Sequence, residues 1–223
     1  MRNYNSIVKY IQKHELDAAF NEIKKQLNEF PDNPLLYTYL GNILFQVQDF
    51  EQAEIAYKKA ILLDETSATA YFGIGNVLAK TEQYERARKA FLKALELGLE
   101  EDPNALFMVG LMYFKEEDYL HALPYLQRAY ELDDKDLEAY FQYGLALAKL
   151  QFFTEAAAVF KTVIEEDTSH SDAYYNLGLI LLQKEEPEEA LHLFERAIGL
   201  QKNHTLALKG KKLAQQQLAK NFE

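Results

Sequence analysis

AYFGIGNVLAKTEQYERARKAFLKALEL, residues Ala70–Leu97, sets Gly75 inside a segment that otherwise has the composition of a helix. A glycine in a helix interior costs about 1 kcal/mol relative to alanine. Similar segments are interrupted at Gly41, Gly110, Gly144 and Gly178, so the five glycines are spaced by 34, 35, 34 and 34 residues. An alanine series, Ala19, Ala53, Ala87, Ala122, Ala156 and Ala190, runs at 34, 34, 35, 34 and 34. Two columns with one period, sharing one inserted residue, define an internal repeat.

With Pro34 to Ser67 numbered as one repeat, further columns emerge. Position 4 holds Tyr37, Tyr71, Leu106, Tyr140 and Tyr174; position 8 is the glycine; position 11 holds Leu44, Leu78, Tyr113, Leu147 and Leu181. That i, i+4, i+7 spacing is one face of an α-helix. After a short polar break ("QVQDF", "KTEQY", "KEEDY"), a second segment carries alanine at position 20 and alanine, save Val163, at position 27. Between them, position 24 is bulky: Tyr57, Phe91, Leu126, Phe160 and Phe194. Each repeat is therefore a pair of helices joined by a tight turn. Small residues at positions 8 and 20 let the two backbones approach, and the large groups at 4 and 24 fill the space around them. One hairpin cannot bury this face, whereas a stack of them forms a continuous core.

The fold class that follows is an all-α solenoid, read as a single domain over 1–223. Its repeats fall at 1–33, 34–67, 68–102, 103–136, 137–170 and 171–204, with a closing helix at 205–223. That last helix has Lys211, Lys212 and Gln215 where earlier repeats are apolar or glycine, which marks it as a solvating cap. The inserted residue falls in "LGLEEDPN" and lengthens the turn before Pro103. Pro124, deep in a second helix, predicts a slight kink. Ile7 displaces the glycine of the first repeat and predicts a wider or shifted hairpin there.

In these columns the chain resembles the tetratricopeptide repeat family, most closely in "YLGNILFQVQDFEQAEIAYKKAILLD" and "YYNLGLILLQKEEPEEALHLFERAIGL". The resemblance implies a right-handed superhelix whose inner surface is lined by the first helices, and a role in binding proteins. Family members that capture acidic chaperone tails do so with lysines at position 5 and nearby cations. Here position 5 is Thr38, Phe72, Phe107, Phe141 and Tyr175, so that clamp is absent and a chaperone-tail adaptor is not expected.

Positions 5, 9 and 12 form a second helical stripe, about 100° around from the core stripe. It reads Thr38/Asn42/Phe45, Phe72/Asn76/Ala79, Phe107/Leu111/Phe114, Phe141/Leu145/Ala148 and Tyr175/Leu179/Leu182. A helix packed on one side only should be polar there. One reading makes the stripe a recognition groove for a peptide or helix of a partner protein. Apolar anchors would then be Phe45, Phe72, Phe107, Leu111, Phe114, Phe141, Leu145, Tyr175 and Leu179, with Asn42 and Asn76 bonding a ligand backbone, as similar asparagines do in ligand-binding members of the family. The other reading consumes positions 12 and 9 in packing between repeats, leaving position 5 as the strongest groove column.

Composition narrows the function classes. The chain has 223 residues, no cysteine and a net charge of −11. Cysteine nucleophiles, thiolate metal sites and disulfides are thereby excluded. From Gln201 onward five lysines face one acid, so the remainder carries −15. Such a body repels a phosphate backbone, and nucleic acid is not expected as a general partner. The lysine-rich end reads as a solubilising cap, a dock for the acidic body of a second copy, or a local nucleic-acid contact. No membrane partner is expected, since no apolar run reaches the roughly 18 residues of a span. The opening residues have charges every few positions and no apolar stretch, so no secretory leader is expected and a cytoplasmic location follows. His14, His121, His170, His192 and His204 lack metal-ligand spacing and read as surface or capping residues, while "GIGNVL" lacks the context of a dinucleotide loop. The acids of "EEPEE" sit at a helix start, where they complement the dipole. No catalytic set, metal or cofactor is expected. The sequence reads as a non-enzymatic scaffold that binds a protein segment, or alternatively as a homodimeric module with its groove or lysine-rich cap buried.

Overall fold

The computed structural model describes residues 4–220. Among these are thirteen α-helices and no strand: α1 (Asn5–Gln12), α2 (Leu16–Glu29), α3 (Pro34–Gln46), α4 (Phe50–Leu63), α5 (Ala68–Lys80), α6 (Tyr84–Ala94), α7 (Pro103–Lys115), α8 (Tyr119–Leu132), α9 (Leu137–Lys149), α10 (Phe153–Glu166), α11 (Ser171–Gln183), α12 (Pro187–Leu200) and α13 (Thr205–Lys220). The ends of the expected first repeat and closing helix, 1–3 and 221–223, lie outside the described residues. The chain divides into two compact units, Met1–Glu116 with α1–α7 and Glu117–Glu223 with α8–α13. In the first, α3 packs on α4 and also on α5, and α5 on α6. The second repeats the pattern, α11 packing on α12 and α13 and also touching α9.

The columns of the repeat are the core. All six alanines of position 20 are fully buried, as are Phe91, Phe160 and Phe194 at position 24. Each ring occupies the space a side chain would take on a neighbouring first helix. A Cβ built on Gly75 would lie 2.5 Å from the Phe91 ring, and one on Gly41 would lie 2.6 Å from Tyr57. The following repeat closes the other side: Gly73 abuts Tyr57, and Gly210 stands 2.6 Å from Phe194 by the same measure. The ring is thus clasped by its own first helix and by the next one, at positions 8 and 6. Repeat 1 reaches a dense core by exchanging sizes, since Ile7 and Ile23, both fully buried in one cluster, stand where later repeats have glycine and a ring.

Every first helix of the described hairpins ends in a left-handed residue: His14, Gln48, Glu82, Glu117, Gln151 and Glu185 have φ between 57° and 65°. In most turns the next amide reaches back to close the helix, as Asp49 N–H does to Leu44 C=O at 2.9 Å and Gln83 N–H to Leu78 C=O at 2.8 Å. Several helix starts are capped by side chains. Asp102 accepts from Ala105 N–H at 2.8 Å, and His170 and His204 each take a backbone N–H on Nδ1, from Ala173 at 3.1 Å and Ala207 at 3.2 Å. Of the five histidines expected to be surface or capping residues, these two cap helices.

Three local features depart from a plain repeat. The inserted residue produces a wide π-type turn at Leu95–Leu99, where Gly98 has φ 119°, a backbone conformation that disfavours any side chain. Helix α8 runs unbroken through Pro124, whose side is exposed. On α13, Lys212 and Gln215 are exposed as a cap requires, and Lys211 pairs with Glu195 at 2.8 Å. The same helix also leaves Leu206, Leu208 and Leu213 exposed, which the polar reading of that cap did not foresee.

Candidate protein-binding face

The stripe at positions 5, 9 and 12 is half-buried rather than open, and its members differ. Phe72 tilts against Phe91 at 5.4 Å between ring centres and keeps a free edge. Tyr175 does the same against Phe194 at 6.0 Å and His204 at 5.3 Å. Burial, and secondarily the Asp172 carboxylate, raises the pKa of the Tyr175 hydroxyl, which stays protonated at neutral pH. Phe141 corrects the sequence reading. It is only 6% exposed, wedged between Phe160 at 5.6 Å and the His170 cap at 4.5 Å, and belongs to the core of the second unit. Thr38 is likewise buried, its hydroxyl donating to the Pro34 carbonyl at 3.2 Å. Asn42 is half committed, because its side-chain oxygen accepts from the Tyr57 hydroxyl at 2.7 Å. Phe45 leans on Phe50 at 5.6 Å.

Each unit carries one concavity that gathers part of the stripe. In the first unit, Phe72, Asn76 and Phe107 line a hollow of about 450 Å³ together with Thr69, Leu99, Asp102, Asn104 and Met108. In the second, Leu145, Tyr175 and Leu179 line one of about 480 Å³ with Ala148, Lys149, Phe153, Asn176, Ile180 and Gln183. Asn42, Phe45, Leu111 and Phe114 line neither. The residues missed by the sequence reading are informative. Met108 sits at position 6, one helical step from the stripe, and Leu99 comes from the inserted turn. The insertion was visible as the single 35-residue spacing, but not where it would aim a side chain. Among the described residues no three histidines or carboxylates gather as a metal site, and no helix is long and apolar enough to cross a membrane.

Residues 41–82, 66–135 and 141–204 match models of the tetratricopeptide repeat. The structure of YrrB, described as a tetratricopeptide repeat protein with an unusual peptide-binding site, is 41% identical, with a TM-score of 0.80 over 85% of this chain and 97% of YrrB. The chain belongs to the tetratricopeptide repeat family. Two further tetratricopeptide-like folds share its architecture alone. Pseudomonas aeruginosa pilF is 16% identical with a TM-score of 0.77, covering 91% of this chain and 92% of its own. MamA of Desulfovibrio magneticus RS-1 is 21% identical with a TM-score of 0.71, covering 77% and 96%. No functionally curated protein matches the chain. A tetratricopeptide stack of this kind is a scaffold for protein–protein interaction.

Proposed function

We propose that this tetratricopeptide protein is a non-enzymatic cytoplasmic scaffold that holds an apolar segment of a partner protein against its first helices. The observation that carries the reading is the hollow of the first unit, where the half-exposed rings of Phe72 and Phe107 flank Asn76. Rigid aromatic anchors bury ligand area with little ordering cost, and a nearby amide fixes the register of an extended backbone. The peptide-binding site attributed to YrrB, at 41% identity, supports the same assignment. The test is a capture experiment with wild type beside a Phe107→Ala/Asn76→Ala variant. Partner proteins should vanish from the variant while its far-UV circular dichroism is retained; an unchanged set of captured proteins would refute the reading.

A second reading, self-association, rests on α13, whose Leu206 and Leu213 are 50% and 54% exposed beside a run of lysines. Sedimentation across the micromolar range decides it, since a strict monomer removes that reading.

A further inference from the structure

The inserted turn gives the first unit a feature that its other repeats lack. Elsewhere in that unit a second helix passes to the next first helix in step with the 34-residue period; at Leu95–Leu99 the chain takes one residue more and swings Leu99 to the wall of the hollow. Gly98, at φ 119° and with no atom within 4 Å of a Cβ built on it, is the pivot. Leu99 therefore joins Phe72, Phe107 and Met108 in lining the hollow, and it is the inserted turn that supplies it.

Charge says what such a hollow suits. Its one ionised lining group is Asp102, which spends an oxygen on the Ala105 N–H; in the turn leading to it Glu96 pairs with Lys93 at 2.9 Å, while Glu100 and Glu101 are exposed. The helices on its floor, α5 and α7, hold no charged residue until their last positions, Lys80 and Lys115. An apolar cup with acid along one edge is complementary to a large apolar side chain flanked by cations. It repels the same side chain flanked by acids.

Building on the protein-binding reading above, we propose that the inserted turn makes a specificity pocket for one bulky side chain of a basic protein segment, with Leu99 as its outer wall and the acidic turn selecting neighbouring lysine or arginine. Discrimination between flanks is electrostatic and exposed, so it weakens as salt is raised.

The protein has no tryptophan, which makes the test direct. Short peptides with one central tryptophan, flanked by arginines or by glutamates, are titrated with the full chain while tryptophan emission is followed. Insertion shifts the emission to the blue. The arginine-flanked peptide should shift and the glutamate-flanked one should not, with an affinity difference of about tenfold at low salt that narrows at high salt. Leu99→Ser, and deletion of Gly98 to restore the period, should abolish the shift; both variants are first checked for wild-type helicity and urea midpoint. Glu100→Gln, remote from the core, is expected to weaken the arginine-flanked peptide alone. A shift that is indifferent to flanking charge, or that survives both turn variants yet disappears in Phe107→Ala, overturns the pocket and leaves the first-helix face intact as the binding surface. No shift from any peptide overturns the pocket as well, and the wider reading then stands or falls on the capture experiment.

Discussion

Replacing Gly75 by alanine sets two opposed effects against each other, and the structure says which prevails. Helix propensity favours alanine by about 1 kcal/mol. Against this, the new methyl would lie 2.5 Å from Phe91 Cε1, where ordinary contact begins at 3.4 Å. The ring is fully buried and already tilted against Phe72, so it would have to retreat by roughly 1 Å in a site packed to crystal density. Overpacking of this severity costs about 3 kcal/mol, at the upper end of its usual range, so the net expectation is a loss of about 2 kcal/mol. Gly199 provides the control: it lies in α12 with no atom within 4 Å of the built Cβ, and Gly199→Ala should stabilise by about 0.5 kcal/mol near the end of its helix. Repeat stacks can unfold piecewise, so urea titration by circular dichroism should be paired with hydrogen exchange at the amides of α5 and α6. Adding Phe91→Leu to Gly75→Ala should recover part of the loss, since Leu126 occupies the same column naturally. A Gly75→Ala protein as stable as wild type would refute the clasped-ring account of the core.

Other expectations follow from the same packing and turn geometry. Gln48→Gly, at φ 63°, relieves a left-handed side-chain penalty of about 1 kcal/mol and should raise the urea midpoint, less whatever glycine adds to unfolded-state entropy. Phe141→Ala should cost about 3–5 kcal/mol, as a core truncation does, and Phe107→Ala clearly less, by the same titration. The carboxylates of Asp64 and Asp167 accept the hydroxyls and amides of Thr66 and Ser169, and these bonds hold their pKa values below the usual range. Because the native values are depressed, the stability these turns contribute is whole above the ordinary carboxylate range and drains away as pH falls through the native values. An Asp64→Asn/Asp167→Asn protein should therefore melt lower at neutral pH and show a shallower decline of Tm on the acid side.

The hairpins were legible because their signal is a column repeated five or six times, and small residues at positions 8 and 20 admit few explanations. Binding residues were less legible, because burial at position 5 depends on a residue about thirty positions further on. Phe141 is sealed by the ring of His170, the cap of the following first helix, whereas the cap beside Phe72 is the smaller Asp102. Identical letters in one column thus meet different neighbours. Position 6 is hard to read as a packing column for a similar reason: Gly73 and Gly210 look like isolated weak points until the ring of the preceding repeat is seen against them. The left-handed corners escaped notice because glutamine, glutamate and histidine fill them, and none announces that conformation.

A run of identical surfaces has a drawback for recognition: a ligand that fits one step fits the next equally well and can slide. Along the first unit, the corner at Gly98 acts as a dislocation in an otherwise periodic lattice. A chain lying across α3, α5 and α7 would find one place where the phase changes, and a single residue of extra length would be enough to give it a unique address.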